Sequence, residues 1–296
     1  MDLFADLKRI VEQQLNALGV TFSAGADVQQ LMLLALNHEL KTVSQQPRRV
    51  HRSKEFTAKQ AGLEATQQQA VSDILAKFEK GDDVNGHLSK SSAKPAETDA
   101  LLADWKIHHL HISNHKDKPS DMFFARTGPV MFAHVAPNDV YFIGIYPHGK
   151  GYPETWTRQT LLKIIDENWP HLLDHCRIKG TTGLSFNPTD MDLKAVRGAH
   201  GNSIVQIGNS FIAPPGGGLA MDGTPSNNVF RMNKTLHLIK ELESSVIANA
   251  ARVKAEIASK SGFSEGELDF ELFPSAPGVW AVLETKTQTL VAKRSG

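Results

Sequence analysis

Asp104-Trp-Lys-Ile-His-His-Leu-His-Ile-Ser113, Met122-Phe-Phe-Ala-Arg-Thr-Gly-Pro-Val-Met131 and Val140-Tyr-Phe-Ile-Gly-Ile-Tyr-Pro-His148 are the three stretches whose reading decides the fold. All three are rich in aromatic and β-branched residues, and turn chemistry separates them: Lys118-Pro-Ser120 after the first and Ala136-Pro-Asn-Asp139 before the third. Short apolar runs punctuated in this way predict strands joined by turns. The expectation is an antiparallel meander over residues 105–112, 122–135 and 140–146.

Working outward, the period changes from strand to helix. Leu3, Phe4, Leu7, Ile10, Val11, Leu15 and Leu18 lie on one helical stripe that ends at Gly19. Further helices are expected over 27–40, over 63–80 through Val71, Ile74, Leu75 and Phe78, and over 155–168 with Thr155 as cap and Pro170 as stop. Beyond Gly180 the pattern weakens to short strands at 203–213, a loop Pro214-Pro-Gly-Gly-Gly218, a long helix over 229–260 and terminal strands near 268–273, 279–283 and 287–292. The predicted class is α+β: N-terminal helices (1–81), a core built on the central antiparallel sheet meander (82–180), and a C-terminal region of one long helix with short strands (181–296).

Composition limits what this fold can do. Lysine plus arginine number 32 and aspartate plus glutamate 32, so no global field draws the chain to a polyanion or a membrane surface. Any such partner must be met by a local patch. The single cysteine, Cys176, excludes an internal disulfide framework, and the charged N-terminus lacks a signal-peptide pattern; the expectation is a cytoplasmic protein with no membrane segment.

Nine of the 13 histidines fall between His87 and His175, which concentrates proton-transfer chemistry in the middle of the chain. Alternate residues of a strand share a face, so His109 and His111 point together while His108 points away. Arg126 interrupts an apolar run; buried in a strand, it would need an anion or a carboxylate. Thr127 follows it, and His148 ends the third strand. Neighbouring strands would gather His109, His111, Arg126, Thr127 and His148 on one surface, with imidazoles to move protons and a guanidinium to stabilise an oxyanion. Lys90, in the loop before the sheet, and Arg48 and Arg49, in the basic segment Gln45-Gln-Pro-Arg-Arg-Val-His-Arg-Ser-Lys54, are candidate phosphate contacts; a solvated linker is the alternative for that segment. Trp156 is a candidate for stacking on a base. There is no His-Glu-x-x-His helix and no cysteine pair, so no metal ligands and no cofactor are assigned. The glycines at 216–218 lack the lysine and spacing of a phosphate loop and read as a structural turn.

The order of helices, then 105–112, then a strand with Arg126, then Val140 to His148 resembles the RelE-type and barnase-like toxin ribonucleases over residues 82–175. The stretches Asp82 to Lys90 and Leu101 to His111 also resemble uncharacterised bacterial proteins found near mobile elements. The ribonuclease resemblance implies metal-independent RNA cleavage, with RNA as substrate and an antitoxin or other protein as partner. Two other readings stay open. One is a non-catalytic assembly protein that forms a homo-oligomer through the C-terminal helix, and the other is a metal-dependent hydrolase that uses the same histidines.

Overall fold

The computed structural model describes residues 1–295. Its class is α+β, as the sequence predicts, with eight α-helices and three small sheets among the described residues. The chain divides into two compact units, residues 37–227 and the two ends of the chain, 1–36 with 228 onward. This differs from the three consecutive regions expected. Each end carries an apolar face that shares a core with the other, and sequence proximity does not report that.

In the unit formed by the ends, α1 (Leu3–Ala17) starts at an Asp2 cap that accepts the Ala5 N–H at 2.9 Å. It buries Leu3, Leu7, Val11 and Leu15, one residue per turn. These pack in a core with residues of α2 (Val28–Lys41) and of the long helix over residues 226–261, among them Leu31, Ile239, Leu242 and Val246. The terminal hairpins, expected at 268–292, form one antiparallel sheet over 270–295.

The second unit is built on a four-stranded sheet of β1 (Arg49–Arg52), β2 (His108–His111), β3 (Pro129–Val135) and β4 (Asp139–Pro147), in the order β1-β4-β3-β2. β2, β3 and β4 make the predicted antiparallel meander. β1 was not expected: the basic segment at 45–54 contains a strand that runs parallel to β4. α3 (Lys54–Ala61) and α4 (Ala65–Lys80) cover one face, where Phe56, Val71, Ile74 and Phe78 meet Leu110, Met131 and Phe142. The other face packs on α5 (Ala100–Trp105), α6 (Thr160–Asn168) and α7 (Asp190–Gly198), through Trp105, Leu161, Ile165, Leu193 and Phe132. A small hairpin, β5 (Val205–Ile207) and β6 (Ser210–Ile212), completes that core. Outside this unit the labels continue with α8 (Ser226–Ser261) and the sheet of β7 (Phe270–Ala276), β8 (Val279–Glu284) and β9 (Leu290–Ser295).

Three boundaries move for physical reasons. Residues 100–105, read as the end of a loop and the start of a strand, form α5; Lys106, at φ 58°, ends it and turns the chain into β2. Residues 122–128 are not strand, because Pro129 has no N–H to donate to a ladder and the pairing starts there. The helix expected from Thr155 begins at Thr160; Thr155 lies in a single tight turn and spends its hydroxyl on the Pro147 carbonyl at 2.9 Å and the Tyr152 carbonyl at 3.0 Å.

The glycine loop is structural, as predicted. The Gly216 and Gly218 N–H groups donate to the Asp104 and Ala103 carbonyls at 2.8 and 3.1 Å, satisfying the C-terminus of α5 rather than an anion. A Cβ at Gly216 would lie 2.3 Å from the Ala103 oxygen, so no other residue fits this approach. Among the described residues no helix is long and apolar enough to cross a membrane.

Candidate active site

Strand alternation places His109 and His111 on the face of β2 that meets α6, opposite Phe132 and Val130 of β3. His108 pairs with Ala133 on the other face, so only two of the three clustered imidazoles share a surface. β4 delivers His148 just beyond its end, on a loop whose turns at Gly149 (φ 93°) and Gly151 (φ 94°) need left-handed backbone. The same loop leads into the turn that holds Trp156.

Four rings therefore meet. His109 lies 4.6 Å from Trp156 and 6.2 Å from His111, His111 lies 5.3 Å from His148, and His148 lies 5.6 Å from Trp156, centroid to centroid. Each ring touches two others, so the four close a circuit. His111 is buried, His109 is largely buried, His148 is half-buried, and Arg126 is exposed. The Arg126 charge disfavours protonation of both strand histidines.

Electrostatics and hydrogen bonds set the chemistry of each imidazole. Burial, with like charge from His109, His148 and Arg126, lowers the His111 pKa to about 4, so this ring is neutral at pH 7. His109 is lowered by burial in the same direction, opposed by the Asp99 carboxylate. The His148 Nδ1 lies 2.7 Å from the Gly128 carbonyl, so Nδ1–H donates and, in the neutral ring, Nε2 carries the lone pair. That is the arrangement of a general base. The Thr127 N–H points at His111 Nδ1 from 3.5 Å, which leaves His111 Nε2 as a neutral N–H donor.

Two expected site residues turn out to hold the frame. The Thr127 hydroxyl accepts the Ile112 N–H at 3.0 Å and donates to the Pro129 carbonyl at 2.7 Å, bridging β2 and β3 where the proline interrupts the ladder. It has no proton left for a substrate. Arg48 is buried, with its guanidinium donating to the Ser44, Gln46 and Ala136 carbonyls and to the Ser44 hydroxyl, so it cannot serve as a phosphate-binding arm. Arg49 is exposed and pairs with Asp139 at 2.8 Å on β4. Lys90 is exposed on the turn Lys90–Ala93, outside the ring circuit. Arg126 departs from expectation differently: it lies on an open loop, where a solvated cation needs no carboxylate.

Residues that sequence reading missed position this site from behind. Arg197 of α7 bonds the Asp104 carboxylate at 2.6 Å, lies 4.1 Å over the Trp105 ring and donates to the Trp156 carbonyl. Asp104 and Arg197 are 93 residues apart, both buried, and burial raises the acid's pKa and lowers the base's. His87 is fully buried, stacks on Phe124 at 4.2 Å and accepts from the Lys77 ammonium at 2.8 Å; burial and that charge hold its pKa at about 3. No local sequence pattern announces these contacts; the one cap nearby is Asp99, which accepts the Leu102 N–H at 3.1 Å at the start of α5.

Among the described residues no group of three or more His, Cys, Asp or Glu side chains is arranged to hold a metal ion. Comparison with family models, with curated proteins and with solved structures finds no match for the chain.

Proposed function

We propose that residues 37–227 form a metal-independent endoribonuclease in which His109, His111, His148 and Arg126 cleave RNA by acid-base chemistry. The observation that carries the reading is the closed circuit of three imidazoles and one indole, two of whose imidazoles feel the charge of the exposed Arg126. His148 Nε2 takes the 2′-hydroxyl proton, and the 2′-oxygen attacks the adjacent phosphorus. His111 Nε2–H and Arg126 bear the charge that builds on the phosphoryl oxygens. The bound phosphodiester raises the pKa of the imidazole facing it, so His109 arrives protonated and gives its proton to the departing 5′-oxygen. The products are a 2′,3′-cyclic phosphate and a 5′-hydroxyl. Trp156 stacks on a flanking base.

From the resemblance comes the biological setting, a toxin or phage-defence effector held in check by an antitoxin-like partner. Burial of His111 favours one competing reading, in which the strand histidines only pack the sheet. Incubating the protein and its His148→Ala and His111→Ala variants with total RNA in EDTA separates the two. The ribonuclease reading expects cyclic-phosphate termini from the parent protein and at least a hundredfold loss in each variant. Equal cleavage by all three proteins, or none by the parent, overturns it.

A further inference from the structure

His109 carries the one ring nitrogen of the circuit that is buried without a hydrogen-bond partner: its Nδ1 meets no acceptor. The nearest is Oδ2 of Asp99, 4.0 Å away, with both side chains largely buried, 13% and 21% exposed. The other carboxylate oxygen, Oδ1, is occupied by the helix cap, so Asp99 is anchored with its free oxygen turned toward the imidazole. A cavity of about 10 Å³ adjoins both groups, lined by Lys41, Ser89, Ser91, Ser92 and His108 among others. It gives the pair room to approach. A buried polar nitrogen without a partner is unfavourable, so a carboxylate about one ångström beyond bonding distance is its natural acceptor.

We propose that Asp99 is the positioning residue of His109: on substrate binding its Oδ2 accepts the Nδ1 proton, which fixes the tautomer and turns Nε2 to the substrate. The carboxylate charge also stabilises the imidazolium that delivers a proton to the leaving group. The groups that face His109 are Asp99 on the helix side, His111 on its own strand, His148 and Arg126 from the neighbouring loops, and Lys41 and His108 around the cavity. Asp99 is the sole carboxylate among them, so its removal has one sign. The catalytic consequence rests on the ribonuclease reading, but the dyad itself does not.

Asp99→Asn keeps the helix cap and removes the charge, and Asp99→Ser is a second variant that also caps. The imidazole nitrogens of His109 are followed by ¹⁵N NMR from pH 8 down to the lowest pH at which each protein stays folded, in the parent protein, in each variant and in His109→Gln, which assigns the signal. The proposal expects the His109 midpoint to move to lower pH in both variants and the Nδ1 shift to change. A midpoint that stays in place overturns the dyad, whether or not the protein cleaves RNA. Where the parent cleaves RNA, Asp99→Asn is expected to lose at least about tenfold in kcat with little change in KM and an altered acid limb of the pH profile. Full activity with an unchanged profile overturns the positioning role. Absence of cleavage by the parent counts against the ribonuclease reading alone.

Discussion

Acidification provides a severe test of how residues 37–227 are held together. Buried His108 and His111 and half-buried His134 have pKa values lowered to about 4, and buried His87 is lowered to about 3, in each case chiefly because desolvation disfavours the charged ring. In the unfolded chain a histidine titrates near 6.5. Between pH 6.5 and about 4 the unfolded state therefore binds protons that the folded state refuses, and stability falls as pH falls through that window. Each such group contributes about 1.4 kcal/mol per pH unit. One unit below 6.5 the four together cost on the order of 5 kcal/mol, a large share of what a typical domain possesses. His109, lowered in the same sense, adds to this. Carboxylates of this unit with lowered pKa values, such as Asp139 and Asp192, act in the same direction but only in more acid solution. Urea unfolding at pH 7.5, 6.5 and 5.5, followed by tryptophan emission, measures the effect, because Trp105, Trp156 and Trp169 all lie in this unit. The expected result is a midpoint that moves steeply to lower urea between pH 6.5 and 5.5. Equal midpoints across the series refute the assignment of buried, neutral histidines.

Two further expectations concern the frame behind the site. Arg197→Met strands the Asp104 carboxylate and should cost about 3–5 kcal/mol, while Arg197→Met with Asp104→Leu should recover most of it; thermal unfolding of both variants checks this. Gly216→Ala forces a methyl against the Ala103 carbonyl, 2.3 Å from the Cβ position, and should destabilise by about 1–3 kcal/mol in urea, where an unchanged midpoint would show that the loop yields freely.

Periodicity made much of this protein readable. The alternation of His109 and His111 about Leu110 put two imidazoles on one face and His108 on the other, and the pairing of β2 with β3 keeps that arrangement. The stripe of α1, the β2-β3-β4 meander and the long C-terminal helix follow from the same local rules. Arg126 and Thr127 were misread because an apolar run looks like a strand until a proline removes the donor its ladder needs. Arg48 was misread because charge in a turn-prone segment looks solvated until the carbonyls around it are known.

Local spacing thus determined which elements form and which face each histidine takes, since both depend on side chains only a few residues apart. Tertiary structure alone decided that Trp156 closes the histidine circuit, that Arg197 reaches across 93 residues to Asp104, and that Asp99 stands 4.0 Å from His109. These contacts arise when distant elements are packed to bury their apolar faces and must then pair whatever polar groups they bring with them, and no sequence interval records that meeting.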